Sequence, residues 1–481
     1  MLHSFNLTMA NSEVDSSCPD FSNLPDVAWV RIMQSMSLSE RAKVARTCRL
    51  LNEVFNHPSL WYSQKLNFMG EVHNWSRKKQ NIFCTPFYVE LIKRFGKYFQ
   101  NLTIKIDGHF RSIPADLQDI LEEVANRCRL ETLTIEAGTI TSAFHERYGF
   151  PPNYSAVKVL ANFVQKAFRM KYLHIKSWPM YNQIDTDDCN IFKVLVLNEK
   201  LRETLETLML FWVEGQEWSE REPILFNGDP TEILKVVEGF KYLTTLGIRT
   251  PMISDELLQM LASIDRSKLQ LLKIFVHYLD PQRQPLFAIP TIQPSTWQAL
   301  SRRNPDFRVE CTIFLNTPNM ELSNLLTPNI PLSALVYTKY SKIDPLTLTK
   351  VYTQYKETMT KFHSYCDSYF IDNELQEMAQ KCINLSEIIY HGEIHSNTVV
   401  AIAKARGKFL TRFEVREEKI KVPTEFDDVD EDDVLARGRD GQLVLVNLMK
   451  FHMPEEQKQE VLQTMIAEVS EALGTPWKPL K

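Results

Sequence analysis

Residues 243–248 read LTTLGI, and residues 269–274 read LQLLKI. Both stretches place an apolar residue, two others, a second apolar residue, one other and a third apolar residue. In an extended strand alternate side chains share a face, so the second and third apolar positions point the same way. The pattern recurs upstream as Phe99-Leu102-Ile104, Leu130-Leu133-Ile135, Met170-Leu173-Ile175 and Leu205-Leu208-Leu210. Downstream it is Leu332-Leu335-Tyr337, Leu385-Ile388-Tyr390 and Leu410-Phe413-Val415, with weaker copies at Phe307-Val309-Cys311 and Met359-Phe362-Ser364. Central positions 335, 362, 388 and 413 lie 27, 26 and 25 residues apart, and earlier gaps such as 102 to 133 and 133 to 173 are longer.

A period of roughly 20 to 29 residues carrying L-x-x-L-x-L resembles the leucine-rich repeat. One such repeat cannot bury its own apolar face, so stacking is compulsory. Segments between the strands, such as SDELLQML at 254–261 and TVVAIAKA at 398–405, have the helical spacing needed to return the chain. The Asn and Cys landmarks of regular repeats are mostly missing. We therefore expect an α/β fold with an irregular array over 96–418; the alternative is a mixed α/β domain whose strands happen to begin with L-x-x-L. Segments 137–154, 212–230 and 280–294 interrupt the array and are expected as loops on one edge, either passive or partner-binding.

The C-terminal part changes character. Residues 424–433, TEFDDVDEDD, hold seven acids and no base, so self-repulsion favours an extended, solvated loop within a 419–453 connector. An EF-hand fails there, because counting from Asp428 places Asp433 at the glycine position and Arg439 at the bidentate acid. From Pro454 an amphipathic helix is predicted, with Val461, Leu462, Met465, Ile466, Val469 and Leu473 on one face and Gly474 and Pro476 as its stop. Its place at 454–481 suits a cap over the last apolar edge of the array.

Ahead of the array, residues 24–61 read LPDVAWVRIMQSMSLSERAKVARTCRLLNEVFNHPSLW. Apolar residues recur three and four apart, which predicts three short amphipathic helices. Pro25 suits a first helical turn, and Ser39 is expected to cap the second helix with Glu40 in its first turn. Three helices over about 40 residues bury too little to stand alone, so a partner or the following domain must cover their apolar face. Residues 69–95, with Trp75, Phe83, Phe87, Tyr88, Leu91, Ile92 and Phe95, read as a helical linker, and residues 1–20 as a polar, disordered start.

That helical stretch resembles an F-box over 21–68. Leu24-Pro25, Ile32-Met33, Met36, Ser39-Glu40-Arg41, Cys48-Arg49 and Leu60-Trp61 carry the match, with Val27 and Leu51 departing from the usual acid and Trp. The resemblance implies docking on the adaptor Skp1, and through it a cullin, by insertion of Leu24, Pro25, Ile32, Met33, Met36, Leu60 and Trp61 into an apolar groove. Arg31, Arg41 and Arg46 are then expected on the polar rim. Motifs at 297–302, 307–309, 330–332, 401–407 and 469–477 resemble one subfamily of F-box-only proteins. A protein target, unknown from sequence, would be held by the array.

Composition narrows the alternatives. Apolar residues at 44% and charged residues at 24% describe a soluble globular chain of 481 residues, and a net charge of −5 gives no electrostatic case for nucleic acid. Eight cysteines are scattered without a C-x-x-C pair, so the plain expectation is reduced, buried thiols in cytoplasm or nucleus. No signal peptide, membrane span, cofactor motif or catalytic constellation is seen; the nearest approach to a metal cluster, His391-Gly392-Glu393-Ile394-His395, reads as a loop with two ordinary histidines. The expectation is a non-catalytic subunit that recruits a target to a ubiquitin ligase. Two alternatives stay open: a repeat scaffold independent of Skp1, hinted at by Val27 and Leu51, and an enzyme with a dispersed site.

Overall fold

The structure, a computed structural model, describes residues 24–68, 85–106, 115–137, 154–166, 170–178, 190–210, 230–278, 290–315, 322–339, 341–367, 371–422, 435–437, 443–445 and 455–481. The segment 1–20, Trp75, Phe83, the acidic run 424–433 and nearly all of the three long insertions lie outside them.

Twelve parallel strands form one sheet in chain order. They are β1 (Ser63–Phe68), β2 (Asn101–Ile106), β3 (Thr132–Ala137), β4 (Tyr172–Ser177), β5 (Thr207–Leu210), β6 (Thr245–Arg249), β7 (Leu271–Tyr278), β8 (Arg308–Leu315), β9 (Leu332–Tyr337), β10 (Lys361–Ser364), β11 (Glu387–Tyr390) and β13 (Arg412–Val415). Between and after the last two, β12 (Ile394–His395) and β14 (Ile420–Lys421) form a second short parallel ladder. A small antiparallel pair, β15 (Leu435–Arg437) and β16 (Leu443–Leu445), follows. Each strand pairs with the next repeat's strand, and helices between them pack as a second layer. This is the irregular leucine-rich-repeat solenoid the spacing implies.

Register explains the spacing. Leu102, Leu133, Leu173, Leu208, Leu246 and Leu272 are successive ladder partners, and all six are buried beneath the helices. Burying such a side chain is worth about 1.5–3 kcal/mol, which no single repeat can collect alone. At Val309/Glu310 the ladder slips, so Cys311 rather than Val309 faces Leu335.

The sheet starts earlier than the expected 96. Gln64 on β1 is the ladder partner of Leu102 and is only 5% exposed. A glutamine in the leucine column hides this strand from an apolar pattern. Its Nε2 donates to Leu60 O at 3.0 Å, which offsets the burial of the amide.

Three helices, Asp26–Gln34, Leu38–Val44 and Arg49–Phe55, and a 3₁₀ turn at Pro58–Trp61 precede β1. Pro25 stands one position ahead of the first helix, and its carbonyl accepts the Ala28 and Trp29 amides. The second helix is capped by Ser37 rather than Ser39. Ser37 and Glu40 form a reciprocal capping box, in which Glu40 Oε2 accepts the Ser37 amide at 2.8 Å. Glu40's carboxyl is held below its usual range, chiefly by the Ser37 hydroxyl and amide.

Trp61 joins these helices to the array. Its ring stacks on Phe95 at 4.1 Å, meets Phe55 edge-on at 5.0 Å, and donates Nε1–H to Phe55 O at 2.8 Å. Phe55 lies on the third helix, and Phe95 ends the helix Thr85–Phe95 that packs into the array. Trp61→Ala is expected to destabilise the chain by about 3–5 kcal/mol, the usual cost of emptying a large aromatic site. Urea unfolding followed by circular dichroism would measure it; a change below 1 kcal/mol would contradict this junction.

Candidate functional site

The seven residues singled out on the N-terminal helices divide into two sets. Met33, Leu60 and Trp61 are buried in the chain's own core. They face inward because Met33 and Leu60 close the helical unit over Trp61 and the first repeat. Pro25 is exposed and Ile32 is 37% exposed, while Leu24 and Met36 are half-buried. Val27, which departs from the family pattern, is the most open apolar residue nearby at 67%. Pro25, Val27 and Ile32 are thus the exposed apolar residues on and beside the first helix.

Arg41 departs from its expected place on the polar rim. Its Nε donates to Met33 O at 2.7 Å and Met36 O at 3.0 Å, and its Nη2 to Gln34 O at 3.0 Å. The guanidinium gathers carbonyls at and just past the end of the first helix, and burial lowers its pKa. Arg31 and Arg46 are exposed. No periodicity signals Arg41's inward turn; the tight three-residue connection after Gln34 brings its fork over that helix end.

A second surface is the open face of the sheet opposite the helices. Near the C-terminal end, Lys361, Glu387 and Arg412 are ladder partners, as are His363, Ile389 and Glu414. Lys361 Nζ lies 3.3 Å from Glu387 Oε1, His363 Nε2 3.2 Å from Glu387 Oε2, and Arg412 Nε 2.6 Å from Glu414 Oε1. On the central strands the same face carries Met209, Phe275, Thr312 and Phe314, all buried. The same face also carries the ion pairs Lys105–Glu136 on β2 and β3 and Lys273–Glu310 on β7 and β8, so charge runs along it from the first repeats to the last.

The two histidines of the 391–395 stretch serve different neighbours. His391, directly after β11, is 3% exposed; its amide donates to Ser364 O at 2.9 Å and its ring meets Tyr365 edge-on at 5.2 Å. His395 opens toward Asp372, with Nδ1 3.3 Å from Oδ1. Among the described residues no group of three or more His, Cys, Asp or Glu side chains could hold a metal. Burial pushes the thiols of Cys128, Cys311 and Cys382 up to about 12, away from thiolate chemistry. A groove of about 440 Å³ between helices is lined by Asn162, Gln165, Lys193, Leu197, Glu232 and Lys235, a set without a nucleophile beside a base. No helix among the described residues is long and apolar enough to cross a membrane.

The F-box-like family model matches residues 21–67. An F-box-like segment heads the chain. F-box/LRR-repeat protein 21 of Mus musculus is 24% identical over 400 residues, covering 83% of each chain. The protein of the same name from Ovis aries is 24% identical over 415 residues, covering 86% of each. Among solved structures, "Crystal structure of TLR13-ssRNA13 complex" is similar over 69% of this chain and 48% of that one, at 11% identity and TM-score 0.30.

Burial lowers the pKa of both His363 and His391; Glu387 opposes the shift at His363, and Arg416 adds to it at His391. An unfolded histidine titrates near about 6.5, so below that pH the unfolded chain takes up the proton first. Stability from these neutral rings is whole above that value and is lost as pH falls. The melting temperature should drop between pH 7.5 and 5, and His391→Phe should make the drop smaller. An unchanged pH profile in that variant would contradict the assignment.

Proposed function

We propose that this chain is the substrate-recognition adaptor of an SCF-type (Skp1–cullin–F-box) ubiquitin ligase. The observation that carries the reading is the apolar surface that Pro25, Val27 and Ile32 each expose, with Leu24 and Met36 half-buried, on an F-box-like segment fixed to a repeat array. Exposed apolar residues grouped on one short helix lose water most favourably against a partner's groove. Met33, Leu60 and Trp61 support that surface from beneath and hold its helices in place. On this reading Skp1 contacts Leu24, Pro25, Val27, Ile32 and Met36, and a cullin follows through Skp1.

The array then holds the protein to be ubiquitinated, and the open face of the sheet, charged at β2 and β3 and again at β10, β11 and β13, offers it polar ground. Chemistry comes from other subunits; this chain supplies proximity. The finer resemblance of the C-terminal motifs is to F-box only protein 33 and, more distantly, F-box only protein 39, and it rests on those motifs alone. The reading implies a cytoplasmic or nuclear setting. It moves the boundary between F-box and array from residue 68 back to Ser63, where β1 enters the sheet.

Co-purification with Skp1 tests it. The wild-type chain should capture Skp1, and a Leu24→Ala, Pro25→Ala double variant should lose capture. Ile32→Glu should weaken binding roughly tenfold or more, as expected for a hot-spot position, while its melting temperature stays within about 2 °C of wild type. Absence of capture by folded wild type would overturn the ligase reading and leave a Skp1-independent scaffold.

A further inference from the structure

The helix Ile191–Leu197 reads IFKVLVL, and Lys193 is its one polar residue. A helix that is apolar all round belongs inside a core. This one lies in the helical layer of the array, packed between the helices Tyr154–Lys166 and Pro230–Gly239. Ile191, Phe192, Val194 and Leu195 are buried, Val196 is half-buried, and Leu197 is left 61% exposed. The sequence therefore supplies apolar side chains to a side that the chain's own packing does not cover.

The groove of about 440 Å³ opens on that side, within the roughly 300–1,000 Å³ usual for small-ligand sites. Phe192, Val196 and Leu197 give it an apolar wall, and its polar lining comes from all three helices. Asn162 and Gln165 lie on the first, Lys193 on the second, and Glu232 and Lys235 on the third. Glu232 Oε1 already accepts Asn190 Nδ2 at 2.8 Å. Lys235 is exposed and makes no ion pair among the described residues. Two ammonium groups against one carboxylate leave a single positive charge, which a monoanion balances. The surroundings favour a small ligand over a protein. Lys166, Glu199, Lys200 and Glu238 beside the groove are exposed, and Leu197 is the one strongly exposed large apolar residue among the described residues of these helices. A protein interface needs on the order of 800 Å² per partner around an apolar centre, more than one leucine offers.

We propose that this groove binds an amphipathic monocarboxylate, an acid of the fatty type with an unbranched tail. The tail lies along Phe192, Val196 and Leu197 and takes the exposed leucine out of water. The carboxylate meets the Lys235 ammonium, with the Gln165 amide as a second donor. An uncharged chain of the same length leaves Lys235 unmatched, and a cationic one is repelled. The site sits on the helical side of the array, apart from the F-box-like helices and from the open sheet face, so it stands whether or not Skp1 is captured. A ligand held by three successive helices binds only the folded array and stabilises it.

Titration calorimetry of the full chain with decanoate, kept below its micelle concentration, tests the site. Decanoate should bind one to one, decan-1-ol about tenfold or more weakly, and decyltrimethylammonium not at all. Lys235→Glu and Leu197→Asp should each weaken decanoate binding about tenfold or more, while Lys408→Glu, at an exposed cation before the last strand, should change nothing. All three positions are exposed, so melting temperatures without ligand should stay within about 2 °C of wild type. Should Leu197→Asp fold poorly, Lys235→Gln carries the test beside Lys235→Glu. Absence of decanoate binding, equal affinity for decanoate and decan-1-ol, or binding that survives the Lys235 substitutions overturns the proposal. A protein partner lost in the same variants, with decanoate inert, would make the groove a protein-docking surface and overturn it as well.

Discussion

Everything in this molecule depends on a constraint of parallel pairing: a strand can be closed only by its neighbour in the next repeat. Each β-strand donates and accepts along both edges, and each inward leucine is covered only when the adjoining repeat is present. The unbroken column from Leu102 to Leu272 shows the consequence, because removing any member exposes the two beside it. A structure of this kind has two ends that cannot be solved by repetition. The N-terminal end is solved by β1, where Gln64 turns its amide onto Leu60, and by the aromatic contact of Trp61 with Phe95. The C-terminal end is closed by the helix Glu455–Leu473 and the segment that follows it.

Much of this was legible because apolar spacing is a direct record of burial. All eleven L-x-x-L-x-L copies fall on or immediately before strands β2 to β11 and β13. The helices at 255–261 and 396–406 follow from their three-and-four spacing. What escaped was written in polar residues. Gln64 breaks the column's chemistry while keeping its geometry, so β1, although Leu66 and Phe68 are buried, does not match L-x-x-L-x-L. The shift of the cap from Ser39 to Ser37 could have been read from Ser37-Leu38-Ser39-Glu40, since a reciprocal box needs an acid three residues after the cap.

The N-terminal surface illustrates a different limit. A motif names residues that matter, and it does not separate those that touch a partner from those that hold the touching residues in place. Leu24, Pro25 and Ile32 have the accessibility that contact requires; Met33, Leu60 and Trp61 have none. Three-and-four periodicity places Ile32 and Met33 on adjacent sectors of the same helix, and only the packing of Trp61 against Phe55 and Phe95 decides which sector turns inward. Likewise Arg41 looks like a rim charge in sequence, yet the carbonyls of Met33, Gln34 and Met36 leave it no freedom to reach a partner.

The junction bears on how such a subunit would work. Positioning a target near a reactive group raises its effective concentration only if the span between the two sites is held. Here the connection is not a flexible linker: core packing runs continuously from Val30 and Met33 through Trp61 and Phe95 into Leu102 and the repeats beyond. Rotating the F-box-like helices against the array would require withdrawing Trp61 from between Phe55 and Phe95 and breaking its bond to Phe55 O. The loss of that site, several kcal/mol by analogy with aromatic truncations, amounts to roughly two or more powers of ten in the population of any reoriented state. On the proposed reading, the choice of which lysines on a target become modified is therefore made where the target sits on the array, and the F-box-like helices contribute a fixed distance rather than a search.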